Sequence, residues 1–103
     1  MEEAMHIISK TILRHFSATH PEAESKLNSW FRTFEQISPK NFHDLKQVFP
    51  TADYVPKRFT VFDVGGNAYR IVVAIHYNTQ RAYIRGVFTH SEYDKWTKDN
   101  RAK

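Results

Sequence analysis

The chain has 103 residues, with 15 Lys/Arg against 11 Asp/Glu and no cysteine. That length makes a single domain, residues 1–103, and the missing thiols exclude a disulfide framework and a thiolate zinc site. The longest unbroken apolar run, Ile71 to Ile75, is far short of a membrane span, and the acidic Met1-Glu2-Glu3-Ala4 lacks the regions of a signal peptide, so the expected location is the cytoplasm with no membrane contact.

Met5, Ile7 and Ile8 make a short, partly apolar stretch that reads as a first edge strand, Met5 to Ser9. Ser9 is placed to cap a helix running through Thr11 to Phe16. Pro21 fits the first turn of a second helix, where its missing N–H is not needed, and Glu22 and Glu24 sit near the positive end of that helix dipole. Leu27, Trp30, Phe31, Phe34 and Ile37 then form one helical stripe that ends near Ser38-Pro39, the pattern of a helix packed on a sheet. Asn41 with Asp44 can cap a third helix carrying Phe42, Leu45, Val48 and Phe49, and Pro50 stops it. Thr51 to Lys57, bounded by Pro50 and Pro56, reads as a connecting loop.

From Phe59 the period changes to two. Phe59, Thr60, Val61, Phe62 and Val64 are aromatic and β-branched, as pleated strands prefer. Gly65-Gly66 can take the positive φ of a tight hairpin turn. Along Tyr69 to Tyr77 the odd positions are apolar, while Arg70, Val72, Ala74 and His76 form a mixed row. Asn78-Thr79-Gln80 is turn-like. Arg81 to Phe88 then puts Arg81, Tyr83 and Arg85 on one face and Ala82, Ile84, Gly86 and Phe88 on the other, although Gly86 is a position for a bulge that changes parity. Thr89-x-x-Glu92 is a capping-box pattern opening a short last helix through Tyr93, Trp96 and Thr97. The order βααα-βββ-α predicts an α+β domain: an antiparallel sheet with a C-terminal three-strand meander, and helices packed on one face.

Charge is unevenly spread. Residues 1–56 carry six Lys/Arg against seven Asp/Glu, a net of −1, and residues 57–103 carry nine against four, a net of +5. A positive sheet face with interleaved tyrosines suits a polyanion, and nucleic acid is the usual one; the plainer alternative is a solvated basic face. Gly65-Gly66-Asn67 lacks the Gly-Lys-Ser/Thr of a phosphate loop, and the six histidines are scattered over different elements, so neither a metal nor a cofactor is expected. Cleaving RNA without metal requires the 2′-hydroxyl in line with the phosphate, groups that accept and return a proton, and fixed cations facing the growing negative charge. Arginine suits the last task because its planar fork meets phosphate oxygens in pairs. Arg70 and Arg85 lie on neighbouring strands and can share a face, and His90 and Tyr93 follow where the chain turns back across the sheet. Their plainer readings are an Arg85–Asp63 ion pair, a helix cap for His90 and a core-edge ring for Tyr93.

Phe62, Gly65-Gly66-Asn67, Arg70, Arg85 and Thr89-His90-x-Glu92-Tyr93-Asp94 together resemble the HigB family of type II toxins, within the wider RelE-like group of messenger-RNA-cleaving toxins. The resemblance covers about Met5 to Lys98. It implies a RelE-like fold and a ribosome-dependent mRNA endonuclease, an mRNA interferase that acts in the ribosomal A site and inhibits translation without a metal. It also implies a HigA-type helix-turn-helix antitoxin as partner, through which alone operator DNA would be reached. Carried onto this chain, it makes Arg70, Arg85, His90 and Tyr93 the catalytic candidates, with Lys57, Arg58, His76, Arg81 and Lys95 as contacts to RNA phosphates. Two alternatives stand beside it: a non-catalytic RNA-binding domain, and an inactive toxin relative acting as a co-regulator with its antitoxin.

Overall fold

The computed structural model describes residues 4–55, 59–66 and 68–101; the readings placed on Lys57, Arg58 and Asn67 fall outside them. The chain runs β1 (His6–Ile8), α1 (Lys10–Thr19), a 3-10 turn at Pro21–Ala23, α2 (Glu24–Glu35), α3 (Phe42–Val48), β2 (Asp53–Val55), β3 (Phe59–Val64), β4 (Tyr69–His76), β5 (Arg81–Thr89) and α4 (His90–Arg101). The strands form one sheet in the order β1-β5-β4-β3-β2. Three of its four pairings are antiparallel, and β1 lies parallel to β5 with Ile7 beside Ala82.

Local chemistry accounts for most of the boundaries. Gly65 and Gly66 take φ of 67° and 56° at the β3–β4 turn, a conformation that costs other residues a steric clash. The Asn41 side chain accepts the backbone N–H of Asp44 at 2.9 Å and so caps α3. Thr89 and Glu92 form the reciprocal pair of a capping box: Glu92 Oε1 accepts the Thr89 N–H at 2.9 Å, and Thr89 Oγ1 accepts the Glu92 N–H at 3.3 Å. Ser9 departs from expectation. It precedes α1, but its side chain makes no capping bond and its backbone is left-handed at φ 78°.

The apolar row Tyr69, Ile71 and Val73 on β4, with Phe62 and Val64 on β3, packs under Leu27, Trp30 and Phe34 of α2 and Leu45 of α3. Tyr69 anchors this layer by donating its hydroxyl to Glu22 at 3.2 Å. Desolvation first, and then the neighbouring Glu22 carboxylate, push its pKa above the ordinary value. Among the described residues no helix is long and apolar enough to cross a membrane.

Two expectations are corrected, and one point left open is answered. Asp53–Val55, read as loop, is a strand, with Val55 opposite Phe59 and Asp53 opposite Val61. Nor do all helices share a face. Val61 and Val72, on the side of the sheet away from α1, α2 and α3, form a second buried cluster with Val55, and Tyr93 and Trp96 of α4 pack over it. An apolar patch of that kind needs cover, and α4 is the segment that turns back across it. Finally, Val72 pairs with Gly86 while Val73 pairs with Ile84, which leaves Arg85 as the extra residue of a bulge. The bulge resets the alternation, so Phe88 stands opposite Arg70 and joins the α4 side. Gly86 makes room for it: a Cβ there would lie 2.6 Å from the Phe88 ring.

Candidate active site

The β3–β4 hairpin sets Asp63 directly opposite Arg70. Arg70 is 9% exposed, and its Nε meets Asp63 Oδ1 at 2.9 Å. A buried guanidinium needs such a partner, because desolvating an unpaired charge is costly. Nη1 donates to the Tyr69 carbonyl at 3.3 Å. The far side of the fork meets α4. Nη2 lies 3.4 Å from His90 Nδ1, and the guanidinium carbon is 5.6 Å from the centre of the Tyr93 ring.

The capping box fixes where α4 begins, and spacing does the rest. His90 and Tyr93 are three residues apart on one helix face, and that face lies against Arg70. One turn on, Asp94 Oδ2 is 3.6 Å from His90 Nε2. His90 therefore stands between a guanidinium and a carboxylate. Arg70 can only donate, so an Nδ1 facing it acts as acceptor and leaves the ring proton on Nε2, toward Asp94. The imidazole is largely exposed, at 59%, and open to a bound substrate.

Arg70 and Tyr93 also line a cavity of about 420 Å³ with Lys46, Thr51, Asp53 and Asp63. A neighbouring hollow of about 640 Å³ shares Asp53 and Tyr93 and adds Asp94, Thr97 and Lys98. Together they form a polar groove between α4 and the β2 edge of the sheet. A separate cavity of about 550 Å³ between α1 and α2, walled by Leu13, Ala18 and Phe31, contains none of these residues.

Of the sequence candidates, the structure thus brings Arg70, His90 and Tyr93 together. Arg85 shares their face but not their cluster. It sits on the bulge three residues from Phe88, about 10 Å along the strand, and its guanidinium lies over the Tyr83 ring at 5.6 Å. It is Arg70, not Arg85, that pairs with Asp63. His76 and Arg81 face each other across β4 and β5 at the far end of the sheet. Lys95 is exposed on α4. The sequence reading gave no site role to Asp53, nor to Asp94 beyond its place in the motif, and it set Asp63 beside Arg85 only as the plainer alternative. Hairpin arithmetic would not have supplied the right partner, since a two-residue turn at Gly65-Gly66 sets position 63 opposite 68, whereas the observed register pairs Asp63 with Arg70. Among the described residues no group of three or more His, Cys, Asp or Glu side chains is placed to hold a metal ion.

Comparison with known proteins bears on what this groove is. Residues 23–96 match the family model described as HigB_toxin, RelE-like toxic component of a toxin-antitoxin system. The chain is 36% identical over 102 residues to the mRNA interferase toxin HigB of Escherichia coli, covering 96% of this chain and 97% of that one. Identity and coverage are the same for the mRNA interferase HigB of Shigella flexneri. A more distant Escherichia coli mRNA interferase HigB is 30% identical over 96 residues, 91% of this chain and 93% of its own. With its family model matched over most of its length and its relatives aligned nearly end to end, this chain belongs to the HigB family of RelE-like toxins.

Proposed function

We propose that the chain is an endoribonuclease toxin that cuts messenger RNA by 2′-hydroxyl attack, needs no metal, works on mRNA held in the ribosomal A site, and is neutralised by a HigA-type helix-turn-helix antitoxin. The observation that carries this reading is the convergence of two proton-carrying side chains, His90 and Tyr93, on one cation, Arg70, where Arg70 and Tyr93 line the groove and His90 stands beside them. The activity for which the relatives are named, mRNA interferase, is what such a trio can perform.

In this reaction the 2′-oxygen bonds to phosphorus, the bond from phosphorus to the 5′-oxygen breaks, and a 2′,3′-cyclic phosphate is left opposite a 5′-hydroxyl. One proton leaves the 2′-hydroxyl and one reaches the departing oxygen. His90 and Tyr93 are the carriers for these two transfers. Asp94 orients the imidazole, as a carboxylate does in hydrolase triads. Arg70, held by Asp63, offers fixed positive charge to the phosphate oxygens without reorganising as the reaction proceeds.

Reliance on the ribosome follows from how few such groups there are. The strand half is rich in positive charge but poor in acids and bases, which suits docking on RNA phosphates. Orientation of the message by a host particle is worth about 7 kcal/mol or more. The test compares naked mRNA with mRNA on programmed ribosomes. Codon-phased cuts with 5′-hydroxyl ends are expected only on ribosomes, and they should persist when EDTA is added within the limit that ribosomes tolerate. Equally fast cutting of naked RNA would remove the ribosome from the reading, and 5′-phosphate ends would rule out 2′-hydroxyl attack.

A further inference from the structure

Beyond α4, the same face of the sheet continues over β4, β5 and β1. Register and parity put His76, Arg81 and Tyr83 there, with His6 beside Arg81 across the parallel pair, and the bulge adds Arg85. His6, His76, Arg81 and Arg85 are exposed and Tyr83 is half-buried. The Tyr83 ring meets the His76 ring edge-on at 5.4 Å and 89°, and the Arg85 guanidinium covers it at 5.6 Å. The three strands β1, β4 and β5 contain no Asp or Glu at all, whereas the sheet's described carboxylates, Asp53 and Asp63, both stand on β2 and β3 beside the groove. Among the described strand residues, one end of this face is therefore charge-balanced, and the other carries arginines without a carboxylate, around an aromatic ring.

We infer that this stripe is a binding surface for single-stranded RNA, separate from the chemistry, in which Tyr83 and the Arg85 guanidinium form a stacking platform and Arg81 and Arg85 contact phosphates. The inference rests on reading the chain as an RNA-cutting enzyme, but it moves Arg85 from catalysis to binding and gives Tyr83 a role. Arginine charge interleaved with accessible rings is how surfaces hold single strands without reading their sequence, because every base has a flat face to stack. An acidic protein partner would be satisfied by the charges and would have no use for the layered ring and guanidinium. Because Arg85 leans over Tyr83, away from Arg70, the two arginines are poised for different parts of a strand rather than one phosphate.

The test measures affinity of the full-length protein for a short single-stranded oligoribonucleotide, 2′-O-methylated so that it cannot be cut, over a range of salt. Arg81→Ala combined with Arg85→Ala is expected to weaken binding and to make the slope of log affinity against log salt shallower by about 1.4, or roughly 0.7 for each lost phosphate contact. Tyr83→Ala is expected to weaken binding on the order of tenfold with the slope unchanged, and Tyr83→Phe to bind like the natural protein. All these positions are exposed or half-exposed, so the variants fold, which circular dichroism would verify. Identical affinities and slopes across the set would overturn the inference. So would a Tyr83→Phe variant as weak as Tyr83→Ala, or variants that bind RNA normally but lose the antitoxin, which would give the stripe to a protein. Stripe-dependent binding by a protein that cuts nothing on ribosomes would leave this inference standing and overturn the enzymatic reading.

Discussion

Arg70 answers to two demands at once, and they can be separated. It is buried and paired with Asp63, so its removal strands a carboxylate that is only 28% exposed. It also faces His90 and Tyr93. Arg70→Ala should therefore lower stability by about 1–3 kcal/mol, the usual cost of a charged group left without its partner, and lower the melting temperature by several degrees. Cleavage should fall by a hundredfold or more, as when a preorganised charge is lost from a transition state. A variant that melts earlier but arrests growth fully at equal folded concentration would make Arg70 a structural residue only. The sequence pointed to Arg70 by its place in a strand with alternating faces. It could not show burial, because burial comes from α4 lying across the guanidinium, and α4 offers little pattern beyond Tyr93 and Trp96 to say which face it covers.

Elements were legible where local chemistry sets them. Period-two alternation marked β3, β4 and β5, paired glycines marked the turn, and Asn41, Thr89 and Glu92 marked helix starts. β2 was missed because three residues are too few for alternation to register; it exists because β3 offers it an edge and Val55 a buried place. The facing of Phe88 stayed open for a different reason. One inserted residue at the bulge turns every later side chain over, and alternation counted through it gives the opposite face. Gly86 is the hinge of that arrangement. Gly86→Val should push Phe88 off the strand, disturb its packing near Trp96 and cost roughly 1–3 kcal/mol, as overpacking does. The expected signs are a lower midpoint in urea and a shift in tryptophan emission. Unchanged values of both would mean that the ring has another place to go.

At the scale of the whole molecule, the sheet separates two kinds of charge along one face, with a balanced acid-and-base groove by β2 and β3 and an arginine-bearing stripe by β5 and β1. No composition total reveals this, because a net of +4 averages over both ends. The charge difference between the two halves of the sequence hinted at it. The division became visible only once the register had placed Asp63 beside Arg70 and His6 beside Arg81.

The parallel pairing of β1 with β5 bears on the order in which the protein is made. Ile7 and Ala82 are partners, yet they stand 75 positions apart in the chain (82 − 7). Pairing so distant in sequence waits on the whole intervening chain, and synthesis proceeds from the N-terminus at about 5–20 residues per second. His90 and Tyr93 emerge later still, so Arg70 has no α4 to face until both have been made. Nascent chains stalled at residue 103 should remain protease-sensitive, while the same chains extended by a flexible linker that clears the exit tunnel should become resistant. Resistance in both would show that the sheet closes without β5. With β5 required, the groove that α4 completes forms only after β5 has been made, so sheet closure and site assembly are one event in the life of the chain.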